Sequence, residues 1–171
     1  MIVLVTGGSG SGKSAWAERL ASRCPGENRI YLATMQVMDD ESRRRVERHR
    51  AQRADRGFHT VERQKDLAGL PLPGDAVVLL EDLVNWTAHE MFGGGEVCRI
   101  FPALQALGDR CRHLILVTGN LFSDGEDYAP SVQEYLRQLA RVNQQAAEMA
   151  DCVVEMVYSI PVPLKGALPC L

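Results

Sequence analysis

The chain opens with MIVLVTGGSGSGKS, residues Met1–Ser14, in which a short apolar run changes into glycine, serine and one lysine. The phosphate-loop pattern G-x-x-x-x-G-K-[ST] is satisfied by Gly7, Gly12, Lys13 and Ser14. A strand of the buried type, Ile2–Val5, precedes the pattern, and a helix-forming stretch, Ala15–Ala21, follows it. The pattern and its context therefore predict a phosphate-binding loop between a first strand and a first helix.

The chemistry of this loop suits the phosphates of a nucleotide. Glycines allow successive backbone N–H groups to turn toward an anion, and the helix that follows adds the positive end of its dipole. Lys13 is expected to reach the outer phosphates, and the Ser14 hydroxyl to bind Mg²⁺. An ordinary glycine-rich turn is the alternative, but the strand and helix around it oppose that interpretation. The predicted nucleotide-binding residues of the loop are Gly7, Gly8, Ser9, Gly10, Ser11, Gly12, Lys13 and Ser14.

The composition limits the fold class and the partners. With 171 residues and 46% hydrophobic content, the chain suffices for one nucleotide-binding domain over residues 1–171. A net charge of −3 argues against a nucleic-acid partner, and no run approaches the ~20 apolar residues of a membrane span. The first residues lead directly into the loop, so no signal peptide is expected. Five scattered cysteines without a C-x-x-C pair oppose a zinc site or a disulfide framework and indicate reduced thiols in a cytoplasmic protein.

Apolar runs alternate with amphipathic helical stretches along the chain. The predicted strands are Ile2–Val5, Ile30–Ala33, Ala76–Leu80, Leu114–Val117 and Cys152–Met156. The predicted helices are Lys13–Ser22, Asp40–Ala54, Leu83–Phe92, Glu96–Leu107 and Pro130–Ala150. This alternation predicts an α/β fold of the P-loop NTPase type, with a mostly parallel sheet and helices on both faces. Ligands of such sheets bind at the carboxyl ends of the strands, where the glycine loop emerges.

Two stretches depart from this alternation. Residues 57–74 contain two prolines and little periodicity, which predicts a loop with one short strand at His59–Val61. The stretch Ser159–Leu171 contains three prolines, so it is expected to form an extended edge strand or a packed arm and not a helix.

A second group of functional candidates lies in an arginine-rich stretch, Asp39–Arg56, with sequence DDESRRRVERHRAQRADR. From Arg43 onward this stretch contains seven arginines but only two carboxylates, although the whole chain has a net negative charge. On a helix, His49 would share its face with Arg45, Gln52, Arg53 and Arg56. Such arginines would stabilise a neutral imidazole, which can act as a nucleophile on a polyphosphate. The commoner alternative is a solvated arginine face with an incidental histidine. The other histidines, His59, His89 and His113, have no comparable neighbours.

A third candidate is the sequence VVLLED, Val77–Asp82, an apolar strand that ends in carboxylates. In phosphate-loop proteins, an acidic residue at the tip of a neighbouring strand holds Mg²⁺ directly or through water. Glu81 or Asp82 fits this role.

Together these residues resemble the bifunctional adenosylcobinamide kinase / adenosylcobinamide-phosphate guanylyltransferase family of cobalamin nucleotide-loop assembly. The resembling motifs, in chain order, are VTGGSGSGKS (Val5–Ser14), YLATMQVMDDE (Tyr31–Glu41), RVERHR (Arg45–Arg50), TVE (Thr60–Glu62), VLLED (Val78–Asp82), RVNQQAA (Arg141–Ala147) and IPVPLK (Ile160–Lys165). They cover most of the chain, and the run from the A-T-x-Q motif to the histidine is more specific than the phosphate loop.

The resemblance implies a core related to the RecA-type ATPases, a homotrimer, and two reactions that use GTP and ATP as substrates and Mg²⁺ as cofactor. A nucleoside triphosphate phosphorylates adenosylcobinamide, and His49 then takes GMP from GTP and passes it to adenosylcobinamide phosphate. Lys13 contributes to both steps, and Ser14 with Glu81, or Asp82, holds the metal. Further nucleotide-binding positions implied by the resemblance are Thr34, Met35, Gln36, Arg50, Ala51, Gln52, Arg53, Glu62 and Glu81.

The chain departs from the family pattern in three segments. Thr118–Gly125 reads TGNLFSDG where the family has S-N-E-V-G, and Leu136–Ala140 replaces an R-D-x-x-G motif. Ile160–Lys165 reads IPVPLK, with an extra proline, where the family has IPLK. These departures affect the segments associated with substrate contacts, the kinase reaction and subunit packing. They remove neither His49 nor any residue of the phosphate loop. A guanylyltransferase or small-molecule kinase with one activity, and a non-catalytic nucleotide switch, therefore remain as alternatives. The absence of an N-K-x-D motif after Leu114–Val117 opposes the switch.

Overall fold

The computed structural model describes residues 1–35, 56–121 and 128–169. Their strands are β1 (Ile2–Thr6), β2 (Arg29–Ala33), β3 (Phe58–Glu62), β4 (Val77–Glu81), β5 (His113–Val117), β6 (Cys152–Val157) and β7 (Ile160–Lys165). Their α-helices are α1 (Lys13–Arg23), α2 (Leu83–Phe92), α3 (Ile100–Arg110) and α4 (Pro130–Met149). Short 3-10 turns lie at Leu67–Gly69 and Val97–Arg99. The predicted helix Asp40–Ala54 falls outside the described residues.

The strands form one sheet in the order β3-β2-β4-β5-β1-β6-β7. All neighbouring pairs are parallel except β6 and β7, which are antiparallel. The predicted mostly parallel sheet is therefore confirmed. The strand predicted at His59–Val61 is also present and extends over five residues as β3.

The sheet is covered on both faces, which explains why its central strands carry apolar residues at four consecutive positions. Val77 and Leu79 of β4 face a cluster that includes Trp16 and Leu20 of α1. Val78 and Leu80 point to the opposite side, into a larger cluster with α2, α3 and α4. The prediction of helices on both faces is thus confirmed.

The helix predicted over Glu96–Leu107 begins and ends later than expected. Residues Val97–Arg99 form a 3-10 turn, and α3 runs from Ile100 to Arg110. The Glu96 backbone N–H donates to Glu90 Oε2 at 3.0 Å, which ties this residue to α2. That bond makes Glu96 part of the connection between the two helices.

The proline-containing stretch after β6 forms an edge strand, as predicted. β7 pairs with β6 through a two-residue turn at Tyr158 and Ser159. Pro161 and Pro163 lack N–H groups, so they reduce the capacity of this edge to pair with another strand. Among the described residues, no helix is long and apolar enough to cross a membrane.

Candidate active site

The phosphate loop connects β1 to α1 at the carboxyl edge of the sheet, and its shape depends on glycine. Gly12 has φ +88° and occupies the N-cap position of α1, where it supplies no capping side chain. The first-turn N–H groups of α1 therefore remain available to an anion. A Cβ at Gly7 would lie 2.6 Å from Ser11 Oγ and 2.8 Å from the Met156 carbonyl oxygen. The loop is closely packed where it leaves β1. The N-terminus of α1, where the loop ends, is suited to bind phosphate.

Lys13 lies across this loop. Its Nζ donates a hydrogen bond to the Gly8 carbonyl oxygen at 3.1 Å. The ammonium group is thus held against the rim of the loop, where it adds positive charge to that of the helix terminus.

Ser14 and Glu81 meet at the tip of β4. Ser14 Oγ donates to Glu81 Oε1 at 2.5 Å, and Glu81 Oε2 is buried with no hydrogen-bond partner among the described residues. Burial raises the pKa of Glu81 to about 7, with smaller contributions from Asp82 and Glu18, whereas the Ser14 hydrogen bond and Lys13 act to lower it. A buried carboxylate oxygen without a partner is costly, and a cation would satisfy it.

The Ser14–Glu81 pair fits a magnesium ion. Mg²⁺ prefers oxygen ligands and usually takes only one or two protein groups, with water and substrate phosphates completing its shell. The Ser14 hydroxyl and a Glu81 oxygen that no described residue contacts through a hydrogen bond lie beside a phosphate loop and match this donor set. Among the described residues there is no cluster of three or more His, Cys, Asp and Glu side chains that would suit a different metal.

Asp82, the second acidic residue at the end of β4, caps a helix and does not contact Ser14 in the described hydrogen bonds. Asp82 Oδ1 accepts from the Asn85 backbone N–H at 2.7 Å and from Asn85 Nδ2 at 2.9 Å, so the side chain caps α2. Burial raises the pKa of Asp82, and the hydrogen bonds from Asn85 lower it. Of the two acidic residues at the end of β4, Glu81 is thus the one with a buried oxygen that has no hydrogen-bond partner in the described part of the chain.

Thr34 and Met35 follow β2. Thr34 is fully buried, and its Oγ1 accepts from the Asp82 N–H at 2.9 Å and donates to the Asp82 carbonyl oxygen at 2.8 Å. Its described bonds therefore hold the ends of β2 and β4 together. Met35 is half-buried beside it. Their predicted contact with a nucleotide remains a prediction.

Glu62 and Glu81 lie in one row of the sheet. Ala33 of β2 is the register partner of both, with Glu62 in β3 on one side and Glu81 in β4 on the other. Two strand spacings place their Cα atoms roughly 10 Å apart. Glu62 is exposed, so the predicted nucleotide-binding position is at the accessible carboxyl edge of β3.

The arginine-rich stretch reaches the described residues only at Arg56. Arg56 Nη1 lies 2.7 Å from Glu18 Oε2, and Glu18 is largely buried on α1. Glu18 lies one helical turn beyond Ser14. The stretch is therefore attached at its C-terminal end to the helix that begins with the phosphate loop. The predicted site residues Gln36, His49, Arg50, Ala51, Gln52 and Arg53 lie outside the described residues.

One part of the site was not predicted from the sequence, namely the turn between β6 and β7. The Ser159 N–H donates to the Ser11 carbonyl oxygen at 2.9 Å, and a Cβ at Gly12 would lie 2.6 Å from Ser159 Oγ. The only local signal is a polar residue between two apolar runs, which indicates a turn but not its neighbour.

The segment after β5 also contacts the loop. The Asn120 N–H donates to the Gly7 carbonyl oxygen at 3.3 Å. Thr118 Oγ1 donates to Asn143 Oδ1 of α4 at 2.7 Å. The described part of the segment that departs from the family pattern, Thr118–Leu121, thus lies beside the phosphate loop.

Comparison with known proteins identifies the family. The model of the family described as cobinamide kinase / cobinamide phosphate guanyltransferase matches residues 3–164. The chain is 32% identical to the bifunctional adenosylcobalamin biosynthesis protein CobU of Escherichia coli K12, with 96% of this chain and all of that protein covered. It is 30% identical to the protein of the same description, CobP, from Pseudomonas aeruginosa, with 95% and 96% covered.

Solved structures support the fold. A type III secretion ATPase superposes with a TM-score of 0.57 at 8% identity, covering 90% of this chain and 50% of that one. The flagellar accessory protein FlaH of Methanocaldococcus jannaschii superposes with a TM-score of 0.53 at 12% identity, covering 96% and 78%. Because a family model spans nearly the whole chain and full-length relatives agree with it, this protein belongs to the cobinamide kinase / cobinamide phosphate guanyltransferase family.

Proposed function

We propose that this protein catalyses both reactions for which its family is named. In the first, it phosphorylates adenosylcobinamide with a nucleoside triphosphate. In the second, it transfers GMP from GTP through a guanylyl-His49 intermediate and forms adenosylcobinamide-GDP. The observation that carries the proposal is the Ser14–Glu81 pair beside an intact phosphate loop, in a chain that matches the family over residues 3–164.

In the kinase reaction, the aminopropanol hydroxyl oxygen attacks the γ-phosphorus of the triphosphate. The bond from that phosphorus to the β–γ bridging oxygen breaks, the nucleoside diphosphate leaves, and the hydroxyl proton is released. The loop N–H groups and Lys13 stabilise the charge that develops on the phosphate oxygens. Ser14 and Glu81 would hold Mg²⁺, which, when bound, neutralises charge on the outer phosphates.

In the transferase reaction, a neutral His49 nitrogen attacks the α-phosphorus of GTP, and the bond to pyrophosphate breaks. A phosphate oxygen of adenosylcobinamide phosphate then attacks the same phosphorus, the P–N bond breaks, and the imidazole is restored. A covalent intermediate thus divides one difficult transfer into two easier ones.

The anchor at Arg56 supports this assignment of His49. Arg56 lies seven positions after His49, and a chain of that length spans at most about 25 Å. Arg56 is bound to Glu18, which lies only ~6 Å along α1 from Ser14. The length of this tether is therefore compatible with an attack of the His49 imidazole on a triphosphate held by the loop.

Intact mass spectrometry after incubation with GTP and Mg²⁺ tests the proposal. We expect the wild-type protein to gain one guanylyl group, which peptide mapping assigns to His49. His49→Ala should remove the label and retain phosphorylation of adenosylcobinamide, whereas the matched variant His59→Ala, at an exposed position of β3, should keep both. Label on His49→Ala would exclude this histidine as the nucleophile. A label without any kinase activity in the wild type would favour the monofunctional guanylyltransferase.

We also propose that the protein acts in the cytoplasm as a homotrimer. Exposed apolar side chains of the edge strand β7 support assembly, because Ile160, Val162 and Leu164 are 63%, 39% and 60% exposed in the protomer. Light scattering coupled to size exclusion should give the mass of three chains, and Ile160→Lys should yield smaller species. A monomeric wild-type protein would contradict the trimer.

A further inference from the structure

Strand β5 ends between the phosphate loop and the carboxylate of Glu81. It lies between β1 and β4 in the sheet, and its last residue, Val117, is the register partner of both Val5 and Glu81. The residues that follow, Thr118–Asn120, therefore lie at the carboxyl edge of the sheet, with the loop on one side and Glu81 on the other. A segment in this place can influence the shape of the loop directly.

The backbone of this segment determines the direction of one peptide group of the loop. The Asn120 N–H donates to the Gly7 carbonyl oxygen at 3.3 Å. The peptide bond between Gly7 and Gly8 is trans, so the Gly8 N–H points away from Asn120, opposite to that carbonyl. Among the described residues, the Gly8 N–H has no hydrogen-bond partner, whereas the Gly8 carbonyl oxygen accepts from Lys13 Nζ and from the Ser11 N–H. This N–H is therefore available to a bound phosphate.

A side-chain hydrogen bond holds the same segment against α4. Thr118 is only 1% exposed, and its Oγ1 donates to Asn143 Oδ1 at 2.7 Å. The Thr118 N–H donates to the Val5 carbonyl oxygen at 2.9 Å and so continues the pairing with β1. Packing alone does not require this polar pair, because valine and leucine at the two positions would occupy similar space without burying polar groups. The side-chain bond thus fixes the position of Thr118, and with it the Asn120 N–H two residues further along the chain.

We propose that Asn143 is a positioning residue of the nucleotide site. Through Thr118 and the Asn120 N–H, it holds the Gly7–Gly8 peptide group in the orientation that binds phosphate. This inference rests on the nucleotide binding in the proposed function and adds a residue that acts on the ligand only through others. An N–H group that is already oriented stabilises negative charge better than one that must first reorient. Because the group meets phosphate and not the base, GTP and a ligand made of phosphates alone should depend on Asn143 to the same extent.

Calorimetric titration with GTP and with inorganic tripolyphosphate, each with Mg²⁺, tests this inference. Thr118→Val removes the donor of the side-chain bond and Asn143→Leu removes its acceptor, so the double variant replaces both partners by apolar groups. Thr118→Ser keeps the hydroxyl. Thr87→Val is the matched control, because Thr87 is also fully buried and donates to the Leu83 carbonyl oxygen, within α2, at 2.7 Å. Urea denaturation without ligand measures the stability of each variant.

We expect Thr118→Val, Asn143→Leu and the double variant to bind both ligands about 5-fold more weakly than the wild type does, which is the effect of one hydrogen bond. In each single variant one polar group loses its partner inside the protein, whereas in the double variant both polar groups are gone. The double variant should therefore recover most of the wild-type stability without recovering affinity. Thr118→Ser and Thr87→Val should bind both ligands as the wild type does.

Three results would overturn the inference while the proposed function stands. Affinity that returns together with stability in the double variant would mean that the bond serves folding alone. Unchanged affinity in Thr118→Val would mean that the bond has no influence on the loop. Weaker binding of GTP with unchanged binding of tripolyphosphate would mean that the effect does not pass through the phosphates. A wild-type protein that binds neither ligand would overturn both the inference and the proposed function.

Discussion

Ser14 and Glu81 are 67 residues apart in the chain, yet the hydroxyl of one donates to the carboxylate of the other at 2.5 Å. They belong to α1 and β4, and β5 lies between β4 and β1 in the sheet. Both residue types expected to hold the metal, a serine of the loop and a carboxylate at a strand end, are therefore in contact.

Glu81→Gln should separate metal binding from folding. The variant keeps the shape of the side chain but removes a charge whose burial raises the pKa to about 7. We therefore expect unchanged or slightly higher stability without ligand, because an uncompensated buried carboxylate is unfavourable. The increase in Tm that GTP with Mg²⁺ gives the wild type should be lost, and both activities should fall by about 100-fold or more. Glu134→Gln, on α4, is the matched control. A variant with full Mg²⁺-dependent activity would show that Glu81 does not bind the metal.

Gly12→Ala and Gly8→Ala should differ in stability although they lie in the same loop. At Gly12, φ is +88° and a Cβ would lie 2.6 Å from Ser159 Oγ. At Gly8, a Cβ would meet no atom within 4 Å. We expect Gly12→Ala to lower the free energy of unfolding by roughly 1–3 kcal/mol, and Gly8→Ala to change it by less than about 0.5 kcal/mol. Urea denaturation of both variants measures the difference, and equal stabilities would argue against the packing of the turn on the loop.

Glu18→Gln should affect the transferase reaction more than the kinase reaction. The substitution weakens the 2.7 Å ion pair with Arg56, which anchors the stretch that contains His49. Because Arg56 is more than one-third exposed, the cost in stability should be at most about 1 kcal/mol. The rate of guanylylation should fall several-fold, measured as label acquired per minute, while phosphorylation persists.

Arg99→Ala is a suitable control for Glu18→Gln. It breaks an exposed pair of Arg99 with Glu96, at 2.9 Å, on the other side of the sheet from α1. Neither activity should change. If Glu18→Gln also leaves the labelling rate unchanged, the anchor has no influence on His49.

His113 should make the protein less stable in mild acid. Both ring nitrogens are buried without hydrogen-bond partners among the described residues, and burial, with the nearby N-terminus and Arg112, lowers the pKa of the imidazole. The unfolded chain therefore binds a proton more readily than the folded one. The free energy of unfolding should have its full value above the pKa of His in the unfolded chain, about 6.5. It should decrease as the pH falls below that value.

His113→Phe should reduce this acid sensitivity, since the ring is kept and the titrating group is removed. Urea midpoints at pH 7.5 and 5.5 provide the comparison, with His59→Phe as an exposed control. An identical acid-induced loss of stability in His113→Phe and the wild type would assign the effect to other groups.

The central strands could be predicted from the sequence because burial on both faces makes them continuously apolar. Val77–Leu80 and Leu114–Val117 are examples in which composition alone identifies the strand. The sequence predicts that this helix begins at Glu96, whereas α3 begins at Ile100, because the Glu96 N–H bonds to the Glu90 side chain on another helix. Helical periodicity contains no information about such a contact.

The sequence left the choice between Glu81 and Asp82 open, and the structure gives a reason to prefer Glu81. Asp82 immediately precedes an apolar helix, which is the position of an N-cap, so a local signal was present. The contact of Ser159 with Ser11 had no such signal. It arises from the order of the strands, which brings β6 next to β1.

The bond between Ser159 and Ser11 also has a consequence for the order of events during synthesis. The glycine loop is translated before the turn that supports it, which follows about 150 residues later. A nascent chain that has emerged only as far as α4 has neither β6 beside β1 nor this support. Nucleotide binding should accordingly be acquired only after β6 and β7 have left the ribosome.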